Sequence, residues 1–180
     1  RAPDLPGATP VVAPFADGDA VRAALAGVET AFMVSASEAA DRAQQHVTFV
    51  EAAAAAGVRH LVYLSFQGAS PESTFTFARD HAVTEEAIRA SGMAWTFLRD
   101  SFYADFMPGL VGDDGIIRGP GGDGRVAVVA QGVVDKAVVR RVRHRGEQVA
   151  VQVDLAGLVV DLVLVAGALG DLDGYFNAHG

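Results

Sequence analysis

The sequence predicts an α/β fold in which a parallel sheet carries helices on both faces. Short apolar runs of strand length alternate with longer segments whose apolar residues recur at the helical period of about 3.6 residues. The connections between these segments are short, which is typical of βαβ units and a parallel sheet. The strand-length runs are apolar throughout, and such strands suit a sheet that is covered on both sides.

The predicted elements follow one another without long gaps. In chain order they are a strand over 9–15, a helix over 20–26, a strand over 30–35, a helix over 38–56, a strand over 60–66, a helix over 79–90 and a strand over 95–98. Asp17 or Asp19 can cap the first helix and Ser37 the second, because a short polar side chain accepts a hydrogen bond from a first-turn N–H. Gly27 and Gly57 end these two helices.

The sequence changes character after about Arg125. Valine becomes very frequent, while helix caps and clean periodicity fade. We predict weak strands over 126–153 and either a buried helix or strands over 155–172. The chain therefore divides into a patterned region, 1–125, and a tail, 126–180, whose structure the pattern leaves uncertain.

Composition and charge disfavour two classes of partner. The chain has 180 residues and is 51% hydrophobic, which is enough for one domain with a real core. Its formal net charge of −8 argues against general nucleic-acid binding, which goes with a basic excess. The apolar run over 155–170 is shorter than the roughly 20 residues of a membrane helix and contains Asp161. We therefore expect neither a nucleic acid nor a membrane as partner.

The absence of cysteine excludes a disulfide framework, a thiolate zinc site and a thiol nucleophile. No His-Glu-x-x-His motif is present, so we expect no metal site. His46 lies in the middle of a predicted helix and is interpreted as a surface or boundary residue. A chain without cysteine fits a reducing compartment, and we expect a cytoplasmic protein.

Polar residues follow the apolar strands where these end. Ser35 closes one strand, Ser65 lies near the end of the next, and Asp100 and Ser101 follow the third. Ligands of open α/β sheets bind beyond the carboxyl ends of the strands. The pattern therefore predicts that a small molecule or a cofactor binds at this edge of the sheet.

Three segments resemble a known family: Ser35-Ala36-Ser37, the phrase GVRHLVYLSFQGA, and Arg99-Asp100-Ser101-Phe102-Tyr103. Together with an acidic helix followed by ASGxxWTFLR, they resemble the NmrA-like, atypical short-chain dehydrogenase/reductase family. The resemblance is to its NAD(P)H-dependent, quinone-reductase-like members. It runs over about 1–125 and implies a Rossmann-like domain with NADP(H) or NAD(H) as cofactor.

The chain departs from the family pattern in two places. The family begins with a strand and a G-x-x-G-x-x-G turn, which holds the pyrophosphate at a helix N-terminus. This sequence has no such turn, so we expect a partial NAD(P)-binding domain over 1–125, incomplete at its N-terminus. From Gly132 onward, the family's acidic helix and substrate-binding region have no match.

The resemblance implies two catalytic candidates, Ser65 and His81. In short-chain dehydrogenases, a serine at this place polarises the substrate carbonyl beside a tyrosine acid and a lysine, stabilising charge as hydride arrives. This chain has no Tyr-x-x-x-Lys motif, and the resemblance places His81 near the position where some relatives carry the lysine. The alternative for His81 is a solvated histidine in the first turn of its helix.

The remaining candidates surround the expected nicotinamide ring. The resemblance assigns cofactor binding to Asp17, Ser35, Ala36, Ser37, Ser65, His81, Asp100, Ser101 and Phe102. It assigns an apolar pocket for a flat quinone or an aromatic ketone to Phe102, Tyr103 and Phe106. The ordinary alternatives are helix capping for Asp17 and Ser37, and core packing for the aromatic residues.

Three functions fit these observations. The first is a reductase that moves hydride from the cofactor to a small-molecule substrate, a quinone, aldehyde or ketone. The second is a non-catalytic, NmrA-like dinucleotide-sensing module, which the missing tyrosine and lysine favour. The third is an inactive fragment that binds dinucleotide weakly, because the Gly-rich turn is missing. A homodimer is left open as an assembly.

Overall fold

The computed structural model describes residues 10–116, 128–130, 149–152 and 163–165. The helices are α1 (Gly18–Ala24), α2 (Arg42–Ala55) and α3 (Thr76–Ala90), with a 3-10 helix over Ala104–Leu110. The strands are β1 (Thr30–Met33), β2 (His60–Phe66), β3 (Ala94–Asp100), β4 (Phe102–Tyr103), β5 (Val128–Val129), β6 (Val149–Gln152) and β7 (Val163–Val165).

Among the described residues, five strands form the main sheet, in the order β6-β3-β2-β1-β7. The strands β1, β2, β3 and β6 run parallel, whereas β7 is antiparallel to β1. Met33, Tyr63 and Phe97 lie side by side across the three central strands. Helices α2 and α3 connect these strands as two consecutive βαβ units. The predicted Rossmann-like parallel sheet with helices is therefore confirmed.

The core lies between the described helices and one face of the sheet. Side chains alternate between the two faces of a strand, and the face with Leu61, Tyr63 and Phe97 is fully buried. Phe49 of α2 and Ile88 of α3 belong to the same core cluster. Within the described residues the helices thus cover this face. The prediction of helices on the other face of the sheet concerns residues outside the described part of the chain.

Several predicted boundaries are corrected by the structure. Helix α2 begins at Arg42, not at residue 38, so Ser37 is not its cap. Asp17 does cap α1, and its Oδ1 accepts a hydrogen bond from the N–H of Ala20 at 3.0 Å. Helix α3 begins at Thr76, before the predicted start at residue 79.

The strand predicted over 9–15 is wrong in its described part, since residues 10–15 form no strand. Two prolines, Pro10 and Pro14, lack the N–H that a central strand must donate. Val11 and Val12 are exposed. In the tail, β5, β6 and β7 are strands, and the rest of the prediction for 126–180 lies outside the described residues.

A buried carboxylate joins α3 to the sheet. Glu85 is 2% exposed, and Arg99 of β3 donates two hydrogen bonds to it, at 2.8 and 2.6 Å. Ser65 of β2 and Arg89 of α3 donate to it as well. Burial by itself raises the pKa of Glu85, but the hydrogen bonds from Arg99 and Ser65 lower it overall.

Among the described helices, none is long and apolar enough to cross a membrane.

We expect Glu85→Gln to lower the free energy of unfolding by about 2 kcal/mol, because it weakens several charge-assisted hydrogen bonds at once. Glu86 is the matched control, since it is exposed and its contact with Arg89 is 3.8 Å long. Glu86→Gln should change the free energy by less than about 0.5 kcal/mol. Urea unfolding of both variants measures the difference. Equal unfolding midpoints would show that the buried carboxylate does not anchor α3.

Candidate functional site

A cavity of about 380 Å³ opens beyond the carboxyl ends of β1, β2 and β3. The structure brings together most of the predicted site residues here, namely Ser35, Ala36, Ser37, His81, Asp100, Ser101, Phe102, Tyr103 and Phe106. Two predicted site residues, Asp17 and Ser65, do not line it. The lining is mainly apolar, with a few polar groups at its edges. This composition is typical of sites for small molecules and cofactors.

One wall of the cavity is the loop that follows β1, and two side chains of α2 fix its backbone. The N–H of Ala36 donates to Nε2 of His46 at 2.9 Å, and Nε of Arg42 donates to the carbonyl oxygen of Ala36 at 2.7 Å. Ala36, Arg42 and His46 are all buried. We call these three residues the Ala36 clamp. It satisfies both backbone polar groups of Ala36 and so fixes the position of the loop.

His46 has one tautomer that satisfies its partners. Because the N–H of Ala36 needs an acceptor, Nε2 carries no proton, and Nδ1 donates to Oγ1 of Thr84 at 2.8 Å. Burial and the nearby Arg42 guanidinium lower the pKa of His46 to about 3. The interpretation of His46 as a surface or boundary residue is therefore wrong. Its i, i+4 spacing from Arg42 places both on one helix face and is the sequence signal that was missed.

Arg42 is a cavity-lining residue that was not predicted from the sequence. It is 3% exposed and forms an ion pair with Asp80 of α3 at 3.0 Å. Its guanidinium lies 4.8 Å from the centre of the Phe77 ring. Arg42 lines the cavity, but its charge is compensated by α3 and its Nε is bound by the loop.

His81 is buried and lines the cavity, so the alternative of a solvated histidine is wrong. Its Nδ1 lies 2.7 Å from Oη of Tyr63, and its Nε2 lies 3.4 Å from Nη2 of Arg42. Burial, followed by the charge of Arg42, lowers the pKa of His81 well below its usual value. His81 is therefore neutral near pH 7, and both ring nitrogens face groups of the protein.

Ser65 does not line the cavity. Its neighbours Leu64 and Phe66 line the cavity, and side chains alternate along a strand. The Ser65 hydroxyl donates to Oε1 of Glu85 at 2.7 Å and is fully buried. The structure thus separates Ser65 from the other predicted site residues and gives its hydroxyl a structural partner. Asp17 is likewise engaged as the cap of α1.

Aromatic rings form another part of the cavity lining, which we call the aromatic wall. Phe66, Phe75 and Phe102 surround one another, with ring centres 5.4 to 5.5 Å apart. Phe102 is 42% exposed and Phe106 is 60% exposed. The alternative that these last two residues are core is therefore wrong. They form an apolar rim where a flat ring could enter.

Asp100 and Tyr103 form a hydrogen-bonded pair at the edge of the cavity. The Tyr103 hydroxyl donates to Oδ2 of Asp100 at 2.6 Å. Asp100 is buried at the end of β3. Burial raises its pKa to about 7, although the hydrogen bond from Tyr103 acts in the opposite direction. Its carboxyl group therefore titrates near neutral pH.

Within the ranges that the structure describes, no group of three or more histidine or carboxylate residues is arranged to bind a metal ion.

Comparisons with known proteins support a dinucleotide site. A family model described as NAD(P)H-binding matches residues 1–135. Quinone oxidoreductase 2 of Escherichia coli K12 is 33% identical over 149 residues, which are 81% of this chain and 51% of that protein. The crystal structure of the NADPH-dependent quinone oxidoreductase QOR2 of E. coli, complexed with NADPH, superposes with a TM-score of 0.66 at 32% identity. The superposition covers 81% of this chain and 52% of the QOR2 chain.

Another relative carries the family name that the sequence suggested. The NmrA-like family domain-containing oxidoreductase flvB of Aspergillus flavus is 36% identical over 67 residues, 36% of this chain and 22% of that protein. These matches confirm the resemblance to NmrA-like, quinone-reductase-like proteins and, at the level of the family, the cofactor NADP(H) or NAD(H). The chain spans about half the length of the E. coli relative.

We expect His46 to make stability fall in acid. The pKa of His46 is about 6.5 in the unfolded chain and about 3 in the folded one. Below pH 6.5 the unfolded chain therefore binds a proton that the folded chain does not. The free energy of unfolding drops by about 1.4 kcal/mol per pH unit between these two values, and the full contribution is present above pH 6.5.

The matched variant is His46→Gln, because the glutamine oxygen can accept the N–H of Ala36 without titrating. Between pH 7 and pH 5, the wild type should lose about 2 kcal/mol more than the variant in urea unfolding. The raised pKa of Asp100 makes the free energy of unfolding increase in acid. This contribution is the same in both proteins, so it cancels in the comparison. An identical pH dependence would contradict a neutral, buried His46.

Proposed function

The chain belongs to the NAD(P)H-binding family, and from this premise we propose that it is part of a reductase that transfers hydride from NADPH or NADH to a small quinone, aldehyde or ketone. The observation that supports this most is the cavity at the carboxyl ends of three parallel strands, which is lined by both the clamped loop and the aromatic wall. Open α/β sheets bind dinucleotides at this edge.

The residues of the clamped loop fit a nicotinamide ring. Ser35, Ala36 and Ser37 have small side chains, so a flat ring can approach their backbone closely. The Ala36 clamp fixes this backbone with two hydrogen bonds. Ser101 lines the same cavity and is polar. When bound, the cofactor supplies the hydride, and the loop would set its distance from the substrate.

The aromatic wall fits a flat acceptor. Phe66, Phe75 and Phe102 present rings to the cavity, and aromatic pairs favour offset or edge-to-face contacts with centres about 4.5–7 Å apart. The exposed ring of Phe106 would lose its contact with water when a flat molecule binds. These residues position the substrate and exclude water from the reacting atoms.

One observation favours a second candidate function, the non-catalytic dinucleotide-sensing module. The hydroxyl of Ser65, which would polarise a carbonyl in short-chain dehydrogenases, is bound to Glu85 and lies outside the cavity. The sequence also lacks the Tyr-x-x-x-Lys motif. A sensor needs the cofactor site but no such hydroxyl.

Cofactor oxidation separates the alternatives. NADPH and NADH are titrated by fluorescence, and their oxidation is then followed with a panel of benzoquinones, naphthoquinones, aromatic aldehydes and ketones. We expect binding and turnover with at least one acceptor. Binding without turnover would support the sensor, and the absence of both would support the inactive fragment.

We expect Ser35→Leu and Ser65→Ala to differ sharply in this assay. Ser35 is half-buried and lines the cavity, so a larger apolar side chain would block the approach of the nicotinamide ring. Its affinity for NADPH should fall about tenfold or more, equivalent to about 1.4 kcal/mol. Ser65→Ala should leave affinity and turnover within about threefold, since its hydroxyl does not reach the cavity. A large loss of turnover in Ser65→Ala would instead show that Ser65 acts as the catalytic serine of the family pattern.

A further inference from the structure

We propose that Asp100 and Tyr103 form a proton relay that delivers a proton to the carbonyl oxygen of an aldehyde or ketone bound in the cavity. This inference rests on the proposed function, because the substrate must be reduced there. It assigns an acid to a chain that lacks the Tyr-x-x-x-Lys motif.

The geometry of the pair joins a buried group to an accessible one. Tyr103 Oη and Asp100 Oδ2 are 2.6 Å apart, and both residues line the cavity. Asp100 is 5% exposed, whereas Tyr103 is half-buried. The N–H of Gln67 donates to the backbone carbonyl of Asp100 at 2.6 Å, which fixes the end of β3. Tyr103 thus links a buried carboxyl group to the cavity in which a substrate would bind.

The other charged groups around the cavity do not neutralise Asp100. Arg42 of α2 is engaged by Asp80 and Ala36. Arg99, the neighbour of Asp100 on β3, is bound by Glu85. His81 of α3 is neutral, and Glu38, which also lines the cavity, carries the same charge as Asp100.

No ion pair involving Asp100 occurs in the described part of the chain. A buried carboxyl group without a cation favours its protonated form, in agreement with its pKa of about 7.

The proton transfer balances without any further reactant. When Asp100 is protonated, its O–H donates to Oη of Tyr103, and the tyrosine O–H donates to the substrate oxygen. As the substrate carbon gains the hydride, its oxygen takes the proton of Tyr103, and Oη of Tyr103 takes the proton of Asp100. Asp100 is left as a carboxylate, and water at the open mouth of the cavity returns its proton.

The relay distinguishes two classes of substrate. Reducing a ketone or aldehyde generates an alkoxide, which is strongly basic and needs an acid in the transition state. Reducing a quinone generates a hydroquinone anion, which solvent can protonate. Loss of the relay should therefore slow carbonyl reduction by about 100-fold or more, while quinone reduction changes by less than about fivefold. Retained quinone reduction also shows that a variant is folded and binds the cofactor.

The first test needs no turnover. The carboxyl carbons of aspartate are labelled with ¹³C, the Asp100 signal is identified by its loss in Asp100→Asn, and its chemical shift is followed against pH. We expect titration near pH 7, and a higher midpoint in Tyr103→Phe, because the lost hydrogen bond favours the carboxylate. Titration at the ordinary aspartate value of about 4, or a midpoint unchanged in Tyr103→Phe, would overturn the relay.

The second test is the pH profile of kcat/KM with an aromatic aldehyde. It should fall as pH rises through about 7, stay flat in Asp100→Asn, and be unchanged in Asp105→Asn, an exposed neighbouring carboxylate that serves as control.

If both Asp100→Asn and Tyr103→Phe reduce aldehydes at the wild-type rate, the relay is wrong, but the proposed reductase function is unaffected. If no acceptor of the panel supports NADPH oxidation by the wild type, the proposed function is wrong, and the relay is wrong with it.

Discussion

Both backbone polar groups of Ala36 are satisfied by side chains, and the rest of the site depends on this constraint. A loop at the end of a buried strand cannot leave its N–H and carbonyl without partners, and Arg42 and His46 of α2 supply them. These two side chains are in turn held by α3, through Asp80 and Thr84. The loop and both helices therefore form one hydrogen-bonded unit. Because a single histidine tautomer satisfies this arrangement, His46 must stay neutral for the loop to keep its shape.

The charged groups near the sheet fall into two kinds, and the difference decides which of them can carry chemistry. Arg42 and Glu85 are nearly inaccessible and are fully engaged by groups of opposite charge. Such groups stabilise the packing of helices on the sheet. Asp100 is also buried, yet its described partner is the neutral hydroxyl of Tyr103. Burial raises the pKa of Asp100 to about 7, so this group can both hold and release a proton near neutral pH.

Much of the fold followed from local pattern, whereas the site followed from it only in part. The strand over 60–66 was predicted with its observed bounds, because a short, mainly aliphatic and aromatic run between a glycine and a polar loop is typical of a buried strand. The prediction of a strand over 9–15 was wrong because it gave the apolar residues more weight than the two prolines, which cannot donate a hydrogen bond to a neighbouring strand. Alternation places Ser65 on the face of β2 opposite Leu64 and Phe66, but nothing local shows that its hydroxyl binds Glu85 rather than a ligand. His46 and Arg42 were missed because their partners lie on another helix and another loop.

The sequence by itself determined the alternation of strand and helix, the parallel sheet, the family, and the edge of the sheet where polar residues gather. These properties depend on periodicity and on motifs of a few neighbouring residues, which are readable along the chain. The tertiary structure alone decided that Ser65 belongs to the Glu85 network, that His46 and His81 are buried and neutral, and that Asp100 pairs with Tyr103. Each of these outcomes depends on burial and on which side chain from another element comes within hydrogen-bonding distance, and neither is set by local sequence.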